Sequence, residues 1–234
     1  MEDKIKSYNL ELINSSPEEI ISFFTAEFPG KIAFATSLGL EDQIITKMIS
    51  EVDPTVKIIT LDTGRLFQDT YDLIDITTKK YGMVIHSCFP DAEDVEEMVN
   101  TRGMNLFYES IENRKLCCHI RKVEPLKRAL RDTDAWFSGL RKEQSVTRKN
   151  LGIVEWDEVN QKIKINPLLS WTSAQVWDYI KTNKVPYNPL HDKGYPSIGC
   201  LPCTRAILPG EDIRAGRWWW ENPDNRECGL HVKE

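Results

Sequence analysis

The chain reads as an α/β protein: a Rossmann-like parallel sheet with helices on both faces, followed by an irregular C-terminal segment. Three observations predict this. Short apolar runs, Lys31–Thr36, Val56–Leu61 and Gly82–Ser87, are separated by helix-period patterns over 41–51 and 67–80, an alternation that builds parallel strands joined by helices. A fourth run, Ala135–Gly139, follows a further helical stretch over about 118–131. From Lys184 onward, Pro186, Pro189, Pro196, Pro202, Pro209 and Pro223 break any regular pattern.

The elements follow in order. The first residues carry no firm structural signal and read as a loose end. Ser16-Pro17-Glu18-Glu19 has the form of a capping box with proline at the first helical position, so a helix over 17–28 precedes the first strand. Leu151–Glu155 and Lys162–Asn166 suggest a small hairpin outside the main sheet, and Thr172 or Ser173 caps a last helix running to about Asn183. The expected division is therefore an α/β domain over 1–183 that carries Cys117 and Cys118 and a functional segment over 184–234, since so long a loop-rich stretch is seldom filler.

The 234 residues are 41% hydrophobic, enough for a packed core, and carry a net charge of −6. Nucleic-acid binding needs a basic face to release counterions, so this balance argues against it. No stretch approaches the roughly twenty apolar residues that span a bilayer, and the first residues lack the form of a signal peptide. A cytoplasmic protein is expected, and in that reducing compartment grouped cysteines are more often metal ligands or catalysts than disulfides.

Two loops have the makings of a ligand site. Ser37-Leu-Gly39-Leu-Glu41-Asp42 leaves the first strand and opens a helix, where Gly39 admits a close backbone approach, Ser37 offers a hydroxyl and the helix N-terminus favours negative charge. Asp62-Thr-Gly64-Arg65 ends the second strand, at the same edge. The first is then a phosphate cradle or an ordinary strand-to-helix turn. The second is a ligand loop or a turn in which Asp62 satisfies backbone donors.

Cys200-Leu-Pro-Cys203 sets two thiols within reach of one metal centre, with Gly199 and Pro202 shaping the turn. Cys117 and Cys118 are adjacent, and neighbours on a helix point about 100° apart, which suits a cluster with several metal corners better than one zinc ion. A four-iron, four-sulfur cluster, one per chain, is therefore preferred, against the alternative of two buried small side chains. Cys88 reads as a simple buried thiol. Arg121, Lys122, Arg205, Arg214 and Arg217 gather basic charge near these cysteines, where forked guanidinium donors suit phosphate and sulfate oxygens, or else pair with Glu211 and Asp212. Cys228 stands apart, six residues from the end, between Glu227, Gly229 and His231 and beyond Trp218-Trp219-Trp220. A nearby cation, His231 or an arginine, would favour its thiolate.

Taken together, Cys117-Cys118-His-Ile-Arg-Lys122, Trp136-Phe-Ser-Gly-Leu-Arg141 through Arg148, Tyr195-Pro-Ser-Ile-Gly-Cys200-Leu-Pro-Cys203, Gly210-Glu-Asp-Ile-Arg214-Ala-Gly-Arg217-Trp-Trp-Trp and Glu227-Cys-Gly-Leu-His231 resemble the assimilatory adenylyl-sulfate reductases over nearly the whole chain. The resemblance implies an adenine-nucleotide fold akin to the ATP pyrophosphatases, with Ser37–Asp42 in place of their phosphate loop. It also implies Cys117, Cys118, Cys200 and Cys203 as cluster ligands and Cys228 as the nucleophile toward adenosine 5′-phosphosulfate. Thioredoxin or glutaredoxin would then release sulfite after a mobile tail opens. Lys122, Arg214 and Arg217, with Arg141 or Arg148, would neutralise the substrate's anions. The nearest alternative is reduction of 3′-phosphoadenylyl sulfate. A tRNA-thiolating sulfurtransferase and a non-enzymatic iron–sulfur sensor are the alternatives from other classes, and a homo-oligomer is open.

Overall fold

The computed structural model describes residues 1–144 and 151–222. Six strands form one sheet: β1 (Ile32–Thr36), β2 (Lys57–Leu61), β3 (Ile85–Cys88), β4 (Ala135–Phe137), β5 (Val154–Asp157) and β6 (Lys162–Ile165), in the order β3-β2-β1-β4-β6-β5. β1 pairs in parallel with β2 and β4, β4 pairs in parallel with β6, and β5 is antiparallel to its neighbour β6. The α/β expectation holds, with one correction. The 151–166 hairpin is not outside the sheet: β6 aligns Ile163 with Ala135 and Ile165 with Phe137, extending the main sheet by two strands.

The helices are α1 (Glu2–Glu11), α2 (Pro17–Glu27), α3 (Leu40–Val52), α4 (Gln68–Tyr81), α5 (Ala92–Arg102), α6 (Ile111–Cys118), α7 (Glu124–Ala129) and α8 (Ser173–Thr182). The capping box at α2 is formed in full, with Glu19 N donating to Ser16 Oγ and Ser16 N to Glu19 Oε2. A second box, Thr172 with Gln175, starts α8. The expected loose N-terminus is instead α1, which buries Tyr8 and gives Tyr8 Oη a carboxylate acceptor at Glu27, 2.6 Å away. The helical stretch expected over 118–131 is helical to Ala129 but begins earlier, at Ile111, and carries a π-turn, His119–Val123, between α6 and α7.

The chain divides into two compact units that alternate along the sequence. The first comprises 1–60, 72–86 and 130–188, and the second 61–71, 87–129 and 189–234. Both cysteine pairs thus fall in one unit, although the sequence separates them by more than eighty residues. The first unit has an extended aliphatic and aromatic core from Tyr8 to Val185, with Ile21, Phe24, Phe34, Ile44, Ile45, Ile58 and Phe137 fully enclosed. The second has a small one of Met98, Leu106, Phe107, Cys117, Cys203 and Trp218.

Candidate functional site

In the first unit the sheet reverses its winding between β1 and β4, and ligands of open α/β sheets settle outside the carboxyl ends of strands at such a point. The two segments leaving those ends are Ser37–Asp42 and Ser138–Arg141. They meet closely: a Cβ added to Gly139 would lie 2.0 Å from Asp42 Oδ1, so only glycine fits there. Leu38 takes a left-handed backbone (φ 62°), and its N–H donates to Thr36 Oγ1. Ser37 does not present free donors. Its N–H and Oγ both donate to Asp42 Oδ2, at 2.5 and 2.6 Å. Burial pushes the Asp42 carboxyl up to about 6, against the pull of those two bonds and one from the Gly139 amide. The turn is thus braced by an internal carboxylate, and Gly39 stands at the N-terminus of α3 as its backbone cap.

Arg141 is tied into the same turn. It is buried, with Nε on Glu41 Oε1 at 2.7 Å, Nη1 on Glu143 Oε2 and the Trp171 carbonyl, and Nη2 on Ser173 Oγ. Its charge is answered by Glu41 and Glu143, so it braces the turn. Sequence reading missed Gly139 and the Glu41 pairing, because both depend on contacts about a hundred residues apart.

The second unit brings together what the sequence scattered. Cys117, Cys118, Cys200 and Cys203 line one cavity with Arg65, Phe107, Arg114, Arg121, Lys122 and Pro202. The π-turn after Cys118 rotates the chain so that Arg121 and Lys122 join the cysteines on this wall. Arg121 is buried and donates to the Thr63 carbonyl at 2.6 Å, while Gly64, in left-handed conformation (φ 70°), completes the tight turn beneath it. Asp62 Oδ1 satisfies donors of its own turn, accepting from Gly64 N and Tyr71 Oη at 2.8 and 2.9 Å. Cys88 is half-buried rather than enclosed, and its carbonyl accepts from Asp62 N.

The CxxC turn is a single 3₁₀ turn, Leu201–Cys203, with Pro202 in its first turn. Leu201 N donates to the Arg65 carbonyl, Trp218 N to the Cys203 carbonyl, and Thr204 bridges Arg217. Gly199 also leaves room for a side chain: a Cβ there would lie 2.3 Å from Arg217 Nη2 and would displace the guanidinium. Arg217 is therefore packed against the start of the turn. Arg214 is half-buried, and its carbonyl accepts from Arg217 N in a tight turn rather than a helix. Arg205 follows the ion-pair alternative, with both Nη atoms on Glu211 at 2.9 Å.

The four thiols are not equivalent. Burial pushes Cys117 up, and burial with the neighbouring Cys200 pushes Cys203 up to about 12. Burial also opposes ionisation of Cys200, but Lys122, the Thr63 hydroxyl 3.2 Å from its sulfur, Arg217 and Arg121 outweigh it and bring Cys200 below the ordinary thiol range. Among the described residues no three His, Cys, Asp or Glu side chains converge on a point that would hold a single metal ion. The four cysteines share the lining of one cavity instead. Cys228, Arg148 and His231 lie outside the described residues. No helix among the described residues is long and apolar enough to cross a membrane.

Residues 31–206 match the phosphoadenosine phosphosulfate reductase domain. The chain is 53% identical over 203 residues to the adenosine 5′-phosphosulfate reductase of Allochromatium vinosum, covering 87% of this chain and 79% of that protein. To the Burkholderia cepacia adenosine 5′-phosphosulfate reductase it is 54% identical, covering 86% and 81%. The crystal structure of phosphoadenylyl-sulfate reductase from Candida auris superposes with a TM-score of 0.76 at 35% identity, covering 88% of this chain and 98% of that one. Candida glabrata FMN adenylyltransferase, at 18% identity and a TM-score of 0.58 over 98% and 78%, shares the fold alone. With three-quarters of its length inside the domain and half its residues shared with these relatives, this chain belongs to the adenosine 5′-phosphosulfate reductases of the phosphoadenosine phosphosulfate reductase family.

Proposed function

We propose that the protein reduces adenosine 5′-phosphosulfate to sulfite and AMP in sulfate assimilation, through an S-sulfocysteine on Cys228, with thioredoxin or glutaredoxin supplying the electrons in the cytoplasm. The observation that carries the reading is the cavity in which four cysteines meet Arg121 and Lys122 beside Arg217.

In the proposed chemistry the Cys228 thiolate attacks the substrate's sulfur. The new S–S bond forms as the bond from sulfur to the bridging phosphate oxygen breaks, and that oxygen leaves with AMP. An anion attacking a dianion is repelled, so cations that offset the charge lower the barrier. Lys122 and Arg217, with Arg214, are the residues for this role. Arg141 is not, since Glu41 and Glu143 already neutralise it. A partner thiolate then attacks the Cys228 sulfur, sulfite departs with the electron pair of the S–S bond, and the partner's second thiol resolves the mixed disulfide. Ser37, Gly39, Asp62 and Gly64 remain the candidates for the nucleotide, Ser37 through the acceptor capacity of its hydroxyl.

Cys117, Cys118, Cys200 and Cys203 would hold a four-iron, four-sulfur cluster, one per chain. Its contribution would be electrostatic and structural, because a dithiol donor already carries both electrons. Iron that changes oxidation state during turnover, followed by Mössbauer or EPR spectroscopy, would contradict that role. The likeness to a 3′-phosphoadenylyl-sulfate reductase favours one rival substrate. Steady-state rates with both nucleotides decide between them, and the expected result is a kcat/KM at least about tenfold higher without the 3′-phosphate, equivalent to roughly 1.4 kcal/mol.

A further inference from the structure

One cluster of buried charge in the second unit has no part in the chemistry above. Arg114, on α6, is 1% exposed and forms a forked pair with Glu221, Nε to Oε1 at 3.0 Å and Nη2 to Oε2 at 2.9 Å. Its Cζ also lies 4.8 Å from the centre of the Trp218 ring. The same indole carries a second guanidinium, that of Arg217, at 4.7 Å. Trp218 is fully buried and holds a left-handed backbone (φ 43°), and the turn it opens is closed by Glu221 N on its carbonyl.

Arg217 has little of its own to orient it. Its side chain makes a long hydrogen bond to Ser197 Oγ at 3.5 Å, and its Nε is buried without a partner among the described residues. No carboxylate among the described residues pairs with it. Its plane is set by the indole on one hand and by the space at Gly199 on the other. The indole is not fixed by polar contacts either, because its Nε1 is likewise buried and unpartnered among the described residues. What locks the ring is packing and Arg114, and what locks Arg114 is Glu221. Two cations on one ring repel each other, and the Glu221 carboxylate pairs with Arg114, leaving Arg217 without a carboxylate partner among the described residues.

We infer that the Arg114–Glu221 pair is a positioning device for Arg217: through the Trp218 indole it holds that guanidinium, with its charge unspent, beside the start of the CxxC turn. This rests on the reading of Arg217 as a group that meets the substrate's anions. None of the three residues touches substrate on this account.

The test is a double-variant cycle on anaerobically purified holoenzyme, reading AMP affinity by calorimetry and the substrate concentration giving half-maximal Cys228 sulfonation in single turnovers without thiol. Arg217→Gln is expected to weaken both about tenfold or more, as loss of a charge-assisted contact does. Glu221→Gln is expected to weaken both by about tenfold in the native background but by no more than about twofold in the Arg217→Gln background, since a residue acting through another has nothing left to act on. Equal effects of Glu221→Gln in both backgrounds, or unchanged affinities with only a lowered melting temperature, overturn the positioning role. An Arg217→Gln variant with unchanged affinities overturns the underlying reading of Arg217 as well, and so separates the two failures. If Glu221→Gln yields no folded protein, Trp218→Phe replaces it with the same criterion, because it alters the shared ring and leaves the ion pair in place.

Discussion

The two units are built on different principles. The first encloses a broad set of aliphatic and aromatic side chains around the sheet and buries few charges, chiefly Asp42, Arg141 and Lys164. The second has six buried core members, two of them cysteines, and encloses Asp62, Arg114, Arg121, Arg217 and Glu221. Hydrophobic burial alone stabilises the first. A core as small as the second's ordinarily needs a staple, in the form of disulfides or a metal centre. The described cysteines form no disulfide; on the proposal that Cys117, Cys118, Cys200 and Cys203 hold a cluster, that cluster would be the staple.

The sharpest way to break this contrast is to remove iron from purified protein with an oxidant and chelator. Hydrogen exchange in 61–71, 87–129 and 189–222 is expected to accelerate by orders of magnitude, while β1 and β4 keep their protection. Equal loss in both units would mean that they unfold as one.

Next in size is Arg114→Ala, which strands Glu221 without its partner inside the second unit. Removing one member of a buried ion pair costs about 3–5 kcal/mol, to be read as a fall in the denaturation midpoint of that unit. A change under about 1 kcal/mol would place the pair at the surface in solution.

In the first unit the corresponding buried charge is Asp42, and its pH dependence has a definite sign. The folded state raises its pKa from 3.8 to about 6, so between those values the folded form binds the proton that the unfolded chain has released. Stability from this group is present below about pH 4, is lost as pH rises to about 6 and is level above that. The loss is on the order of 3 kcal/mol. Asp42→Asn is expected to flatten this stretch of the curve in denaturant titrations. An unchanged slope would assign the titration to another group.

The smallest effect belongs to the first unit's local signals. Ser16→Ala removes the acceptor for Glu19 N and is expected to cost about 1 kcal/mol, with no effect on iron content or catalysis.

Local chemistry was what the sequence made legible. The capping box at Ser16, the strand runs of β1, β2 and β4 and the cap of α8 all follow from neighbours within four residues. The hairpin of β5 and β6 was legible as a hairpin, but its place in the sheet was not, because pairing Ile163 with Ala135 is a contact across 28 residues. The first helix was overlooked although Ile5, Tyr8 and Leu12 repeat at helical spacing, their polar surroundings hiding a stripe one residue wide. At the candidate site the two cysteine pairs were legible as a group, and they line one cavity. The fate of each arginine did not follow from sequence: Arg141 and Arg205 went to carboxylates, and Arg217 to an indole and the gap at Gly199. Arg114 and Glu221, 107 residues apart, gave no signal at all.

The central claim is that four cysteines hold a cluster while a fifth performs the chemistry. Intact-protein mass spectrometry after mixing with adenosine 5′-phosphosulfate and no thiol tests it most directly. The account predicts one sulfonate adduct on the native protein, mapped to Cys228, and none on Cys228→Ser with its iron intact. An adduct on Cys88 or on one of the four cavity cysteines, or an undiminished adduct on Cys228→Ser, would contradict it.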